Sequence, residues 1–248
     1  MRTKAVLVFG VISLAAASAA QALSVDELIA KNAAARGGLD KIQAIKSIKF
    51  EGRLRFGGTF DLDFVQYQKA PESTRTEATV QGLTQVRAWD GKEAWSISPF
   101  GGRKDPQRIS AEDAKSVADD ASISGPLIDY KAKGSAIEYL GTEDVDGTDA
   151  HKLKVTLKSG DIDYVYLDPD HFLEIRTVAQ RKVRGTEIEE ITDFGDYEQV
   201  DGVYFPFAVN SHAKGDDGGG GTEITIDKAT ANLPVDDAIF AFPTKPAK

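Results

Sequence analysis

The side chains that most often carry chemistry are sparse in this chain. It has no cysteine, so it offers neither a thiol nucleophile nor a thiolate metal ligand. The three histidines are His151, His171 and His212. His171 closes the run Asp168-Pro169-Asp170-His171, which reads as a turn between strands, and a metal there needs ligands from elsewhere. His151 and His212 fall on alternating strands and are expected at the surface. No G-x-S-x-G elbow, H-E-x-x-H pair or glycine-rich phosphate loop occurs. Asp216-Asp217, in a glycine-rich loop, lacks the ligand spacing of a calcium site. The other carboxylates stand opposite the apolar positions, as on a solvated acidic surface. None pairs as a general acid and base. The expectation is a protein without catalysis, cofactor or metal.

What remains is apolar surface. Phe50, Leu54, Phe60, Leu62, Phe64, Trp95 and Ile97 are large side chains at alternating positions, and Leu127-Ile128 follows Gly125-Pro126 in mid-chain. A curved sheet fills its concave side with side chains, helices or a ligand. These nine residues are therefore the candidates to line an apolar ligand site. An interior filled completely by the chain itself is the competing expectation, and the residues do not decide between the two.

The elements that must position them are mostly strands. Ile48, Phe50, Gly52, Leu54 and Phe56 alternate with Lys49, Glu51, Arg53 and Arg55, the pattern of a half-buried antiparallel strand. Similar runs recur to the end of the chain, with turn signals every 8–12 residues, roughly the spacing of an antiparallel barrel or curved sheet. The pattern predicts about 11–12 strands in one antiparallel barrel or strongly curved sheet, by the same rule. Before it, Ser24-Val25-Asp26-Glu27 reads as a capping box, Gly37-Gly38 as a helix stop, and Leu39 to Ile45 as a short second helix. After Arg103 the alternation breaks. Ser110 starts a helix whose thin apolar stripe leaves it at the surface or mobile, and Gly125-Pro126 starts another helical turn that, with the N-terminal helix, could plug the concave side.

Residues 1–22 read as a secretory signal peptide: Arg2 and Lys4, an apolar run from Ala5 to Ala17, then Ala20-Gln21-Ala22. The run is too short to span a membrane, and no later stretch approaches that length. Residues 23–248 are expected to form one domain, exported to the periplasm. The formal charge is −9. Removing two basic residues makes the chain more acidic still, a poor match to nucleic acid. The N-terminal helix, the helical insertion and charges on nearly every strand argue against an outer-membrane barrel.

Trp89 and Trp95, the only tryptophans, flank Asp90-Gly91-Lys92. Asp-Gly between apolar alternations is a strong hairpin signal. A two-residue turn pairs Trp89 with Lys92 and sends the indoles to opposite faces. A three-residue loop pairs Trp89 with Glu93 and puts both on one face. The first is expected, with Trp95 inward and Trp89 at the rim or outside.

The run Asp90-Gly91-Lys92-x-x-Trp95-x-x-x-Pro99-Phe100 resembles the central hairpin of the periplasmic outer-membrane lipoprotein carriers, and Ile239-Phe240-Ala241-Phe242-Pro243 their closing motif. Val165-Tyr166-Leu167-Asp168 with Phe172-Leu173 and Arg176, then Tyr197 to Pro206, and Gly37-Gly38-Leu39-Asp40-Lys41-Ile42, are similar to the longer outer-membrane lipoprotein-sorting relatives. The resemblance implies an unclosed barrel whose concave face holds lipid or the acyl chains of lipoproteins. It also implies handover between inner- and outer-membrane transport proteins, in support of outer-membrane biogenesis. Sensor relatives imply the alternative of an envelope sensor or protein-binding module with a filled barrel. One departure stands out: where the carriers have Arg before an early proline, this chain has Ala70, with Arg75 as the residue that could substitute in space.

Overall fold

The computed structural model describes residues 23–58, 60–119, 121–216 and 220–243; the signal peptide expected over 1–22 lies outside them. Helix α1 (Val25–Ala35) starts where the sequence caps it. The Glu27 N–H donates to the Ser24 hydroxyl at 3.2 Å, and the Ser24 N–H donates to the Glu27 carboxylate at 2.8 Å. Gly37 and Gly38, at φ 116° and 103°, end it and turn the chain into α2 (Leu39–Ala44). Gly37 has a second reason to lack a side chain: a Cβ there would stand 2.1 Å from the Gly202 carbonyl oxygen.

All strands among the described residues lie in one antiparallel sheet. β1 (Ser47–Phe56), β2 (Phe60–Lys69), β3 (Ser73–Val80), β4 (Leu83–Trp89), β5 (Ala94–Ser98) and β6 (Arg103–Arg108) form a meander. A second meander contains β7 (Ala136–Val145), β8 (Thr148–Thr156), β9 (Ile162–Leu167) and β10 (Glu174–Val183). It ends with β11 (Thr186–Val200), β12 (Val203–Ala213) and β13 (Thr222–Ala231). The first strand pairs with the last, β1 with β13, and joins the two meanders. β6 and β7 are left as the edges, so the sheet is not closed. At the seam β13 carries a bulge opposite Glu51/Gly52. Its backbone comes so near that a Cβ on Gly52 would lie 2.1 Å from the Thr225 carbonyl oxygen.

The mainly-β, unclosed architecture matches the sequence expectation, with thirteen strands where about 11–12 were expected. The strand most clearly missed is β6, Arg-Lys-Asp-Pro-Gln-Arg, solvated on an edge where Pro106 costs no ladder bond. The helix expected from Ser110 is only α3 (Lys115–Asp119), and Gly125-Pro126 opens turns rather than a helix. The Asp90 carboxylate accepts the N–H groups of Lys92 and Glu93, both at 2.9 Å, so the hairpin loop has four residues and Trp89 pairs with Ala94.

The two faces are covered differently. α1, α2, α3 and the 109–135 linker lie over one, called here the covered face. The C-terminal tail, from Asn232, crosses the other. Its carbonyls accept side-chain donors from successive strands: Ser47 to Leu233 at 2.6 Å, Lys69 to Val235 at 2.8 Å, Arg75 to Ile239 at 2.9 Å and Trp95 to Phe240 at 2.7 Å.

Candidate functional site

Strand alternation fixes which predicted residues share a face. In the β1–β2 register Leu54 stands opposite Leu62, Phe56 opposite Phe60, and Phe64 opposite Gly52. Phe50, Leu54, Phe60, Leu62 and Phe64 therefore share the covered face. Phe50 meets Phe205 edge-to-face at 5.8 Å, and with Phe64, Val203, Phe207 and Ile226 it packs under Ile42 and Ile45. Ile123 and Ile128 of the linker enter the same cluster. Leu127 enters a second one, with Leu28 of α1 and Leu153, Val155, Val165 and Leu167 of the sheet. Two consecutive linker residues thus plug two apolar clusters, and both are buried to 1% exposure or less.

Trp95 and Ile97 lie on the opposite face, which corrects the expectation that Trp95 points inward. Lys49, Tyr67, Arg75, Ala88 and Trp95 form one cross-strand row. That row is polar over β1 and becomes apolar at β4–β5, where Phe240 and Phe242 of the tail cover it. The tryptophans do face opposite sides, but Trp89 is the inner one, against Ala114 and Val117. Arg75 stacks over the Trp95 ring at 5.3 Å and holds the tail.

Cover is incomplete along β1 and β2. Phe50 and Phe64 are buried, Leu54 and Leu62 are half-buried, and Phe56 and Phe60 at the hairpin end are 56% and 65% exposed. Ile224 lies beside Leu54 across the β1–β13 seam. The covered face is therefore an apolar strip, closed by the linker at one end and open at the other.

The linker plug is held by polar groups that sequence reasoning did not single out. The Lys133 ammonium donates to the Ser122 and Ser124 hydroxyls, both at 2.9 Å, and to the Gly125 carbonyl at 2.7 Å, stapling residues 122–133 into one unit. Arg36 at the end of α1 donates to the Ser124 carbonyl at 2.7 Å. Burial lowers the Lys133 pKa and raises that of Glu174, the latter opposed by Arg36 and Lys133. Glu174 Oε1 is buried without a hydrogen-bond partner. Two of these four partners are backbone carbonyls, which leave no trace in residue types.

A second ionic cluster fixes α3. Arg181 on β10 pairs with Asp119 at 2.8 Å and with Asp163 on β9 at 2.6 Å. Burial pushes the Asp163 carboxyl up to about 6, against the pull of Arg181.

The histidines stay apart. His171 is exposed, 3.1 Å from Asp168. His151 and His212, expected at the surface, are half-buried; His151 stacks on Phe172 at 5.7 Å and bonds the Tyr139 hydroxyl at 2.9 Å. Among the described residues no three His, Asp or Glu side chains gather as a metal would need, and no helix is long and apolar enough to cross a membrane. Two open clefts, of about 310 and 220 Å³, lie on the tail side; the larger lies between the tail and Tyr67, Arg75 and Glu77.

These features define a class of fold: one unclosed antiparallel sheet whose apolar face is capped by N-terminal helices and a mid-chain insertion. Solved structures share it over most of their length. A LolA superfamily protein from Nitrosomonas europaea superposes with a TM-score of 0.59 at 14% identity, covering 89% of this chain and 98% of the other. A domain classed with outer-membrane lipoprotein-sorting proteins, from Vibrio parahaemolyticus, gives 0.58 at 14% identity over 88% and 97%. A DUF1329 family protein from Desulfovibrio piger gives 0.57 at 18% identity over 88% and 97%. The fold is that of the LolA superfamily and its lipoprotein-sorting relatives. No family model matches the sequence, and no curated protein matches it.

Proposed function

We propose that this chain is a periplasmic carrier or binding protein for lipid or for the acyl chains of lipoproteins, without catalysis, working after removal of residues 1–22. The observation that carries this reading is the apolar strip from Phe56 and Phe60 through Leu54 and Leu62 to Phe50 and Phe64, with a stapled plug at its closed end. Each methylene withdrawn from water contributes about 0.8 kcal/mol, so an acyl chain laid along the strip repays displacement of Ile123 and Ile128. The carrier-type fold of the solved neighbours supports the same reading. The test is mass spectrometry of lipid extracted from the purified protein, with uptake of a fluorescent fatty acid by the stripped protein. Bound lipid or saturable uptake is expected; a protein that is empty and takes up nothing sinks the reading.

The second reading is an envelope sensor or protein-binding module with a filled interior. It is favoured by the burial of Ile123, Leu127 and Ile128 inside the sheet's own clusters. Absent lipid, together with a protein partner captured from an envelope extract and resistant to detergent, is its signature.

A further inference from the structure

The meander brings one kind of residue to one end of the sheet. The β1–β2, β3–β4, β5–β6, β8–β9, β10–β11 and β12–β13 turns all lie at the same end, because each of these pairs begins with a strand running that way. Phe56 and Phe60, Leu83, Phe100 and Ile188 stand at or beside four of these turns, and all are exposed. The tips of the first three are small and uncharged, Gly57-Gly58, Gln81-Gly82 and Pro99-Phe100-Gly101-Gly102, whereas the turns of the second meander carry exposed Lys158, Arg184 and Lys214. Charges sit just behind the uncharged tips. Arg55 is paired with Asp61 at 2.8 Å, and exposed Arg103 and Lys104 follow Phe100.

We propose that this rim docks on a phospholipid bilayer, with the Phe-bearing tips entering the interfacial layer and Arg103 and Lys104 meeting lipid phosphates. The observations favour a bilayer over a protein surface. Adjacent tips along the meander are two strands apart, about 10 Å, and stand as separate projections. A soft surface admits each one independently, whereas a protein partner needs a packed, continuous patch. Phe56 and Phe60 are also the open end of the covered strip, so docking would set that opening against the source of acyl chains. This last point rests on the carrier reading; the docking itself does not.

The test is flotation of the chain from Leu23 onward, as the protein works after removal of residues 1–22, with vesicles of phosphatidylcholine, alone and mixed with phosphatidylglycerol. The native protein is expected to float with both. Phe56→Ser combined with Phe60→Ser, and separately Phe100→Ser, should each weaken binding about tenfold or more, the scale set by withdrawing an aromatic ring from the interface. Leu39→Ser and Tyr204→Ser, at the other end of the sheet, should leave binding unchanged. All five positions are exposed, so the variants are expected to fold, and a thermal melt checks this. Native protein that ignores both vesicles, or rim variants that bind as well as native, overturns the proposal. Fatty-acid uptake measured without vesicles separates the two ideas: flotation without uptake supports docking and counts against the carrier reading alone.

Discussion

The Trp95 indole N–H donates to the carbonyl of Phe240, 2.7 Å away and 145 residues later in the chain. With Phe242 edge-on to the same ring at 6.4 Å, this bond seals the C-terminal tail across the β1–β5 half of the sheet. Trp95→Phe keeps most of the bulk and removes the donor, leaving the buried carbonyl unpaired. The expected cost is about 1–3 kcal/mol, read from the urea midpoint. Removing residues 233–248 should expose the indole and shift tryptophan emission to the red. Unchanged emission would show that the tail does not shield Trp95 in solution.

Gly52 is set by distance. A methyl group there would sit 2.1 Å from the Thr225 oxygen and 2.8 Å from Ile226 Cα, both backbone atoms of the bulged partner strand. Gly52→Ala must push β13 away from β1, and a loss of about 3 kcal/mol or more is expected in denaturant unfolding. Gly58→Ala, whose Cβ would meet nothing within 4 Å, tests the alternative that any glycine loss at this hairpin hurts. Its φ of 67° makes it costly by about 1 kcal/mol only.

Asp163 gives the chain an acid-side gain. Its folded pKa, about 6, exceeds the ordinary 3.8. Between those values the folded state binds a proton that the unfolded state does not, so this group's contribution falls as pH rises through the window. At pH 7 the full penalty is about 3 kcal/mol, taking 1.36 kcal/mol per pH unit. Asp163→Asn should remove the slope. The difference in stability between native protein and variant, followed by chemical unfolding from pH 7 to 4, should move in favour of the native protein. A difference independent of pH would refute the burial argument.

The Lys133 staple holds the plug closed. Lys133→Met keeps an apolar stem, loses three donors, and should cost about 1–2 kcal/mol. More specifically, amide exchange over residues 121–135 should speed up while that of β8 and β9 stays slow. On the carrier reading, fatty-acid uptake should also quicken. Equal exchange in both regions would mean that the plug does not open as a unit.

Much of this was legible in the chain. β1 and β2 showed their faces because charged and apolar residues alternate without a break from Ile48 to Phe56, and α1 showed its start in the Ser24–Glu27 box. β6 was illegible because an edge strand wet on both sides has no apolar period to display. The inward or outward direction of Trp95 was illegible for another reason. The row it belongs to starts polar at Lys49, and only a tail folded back from 145 positions on makes its end dry. Leu127 and Ile128 announced themselves as apolar, whereas Lys133 and Arg36 did not, since their partners are carbonyls and serine hydroxyls not adjacent to them in the chain.

The pairing of β1 with β13 also carries a temporal consequence. A chain delivered from its N-terminus presents Ile48 and Phe50 early, yet Ala231 and Ala229, their partners at the seam, arrive near the end. Each meander can zip from local hairpins, but the centre of the sheet must wait for almost the whole polypeptide. Until then one long edge of β1 stands unpaired, a template for wrong partners. Such a topology delays collapse to the native state and makes any holding factor most useful in that interval.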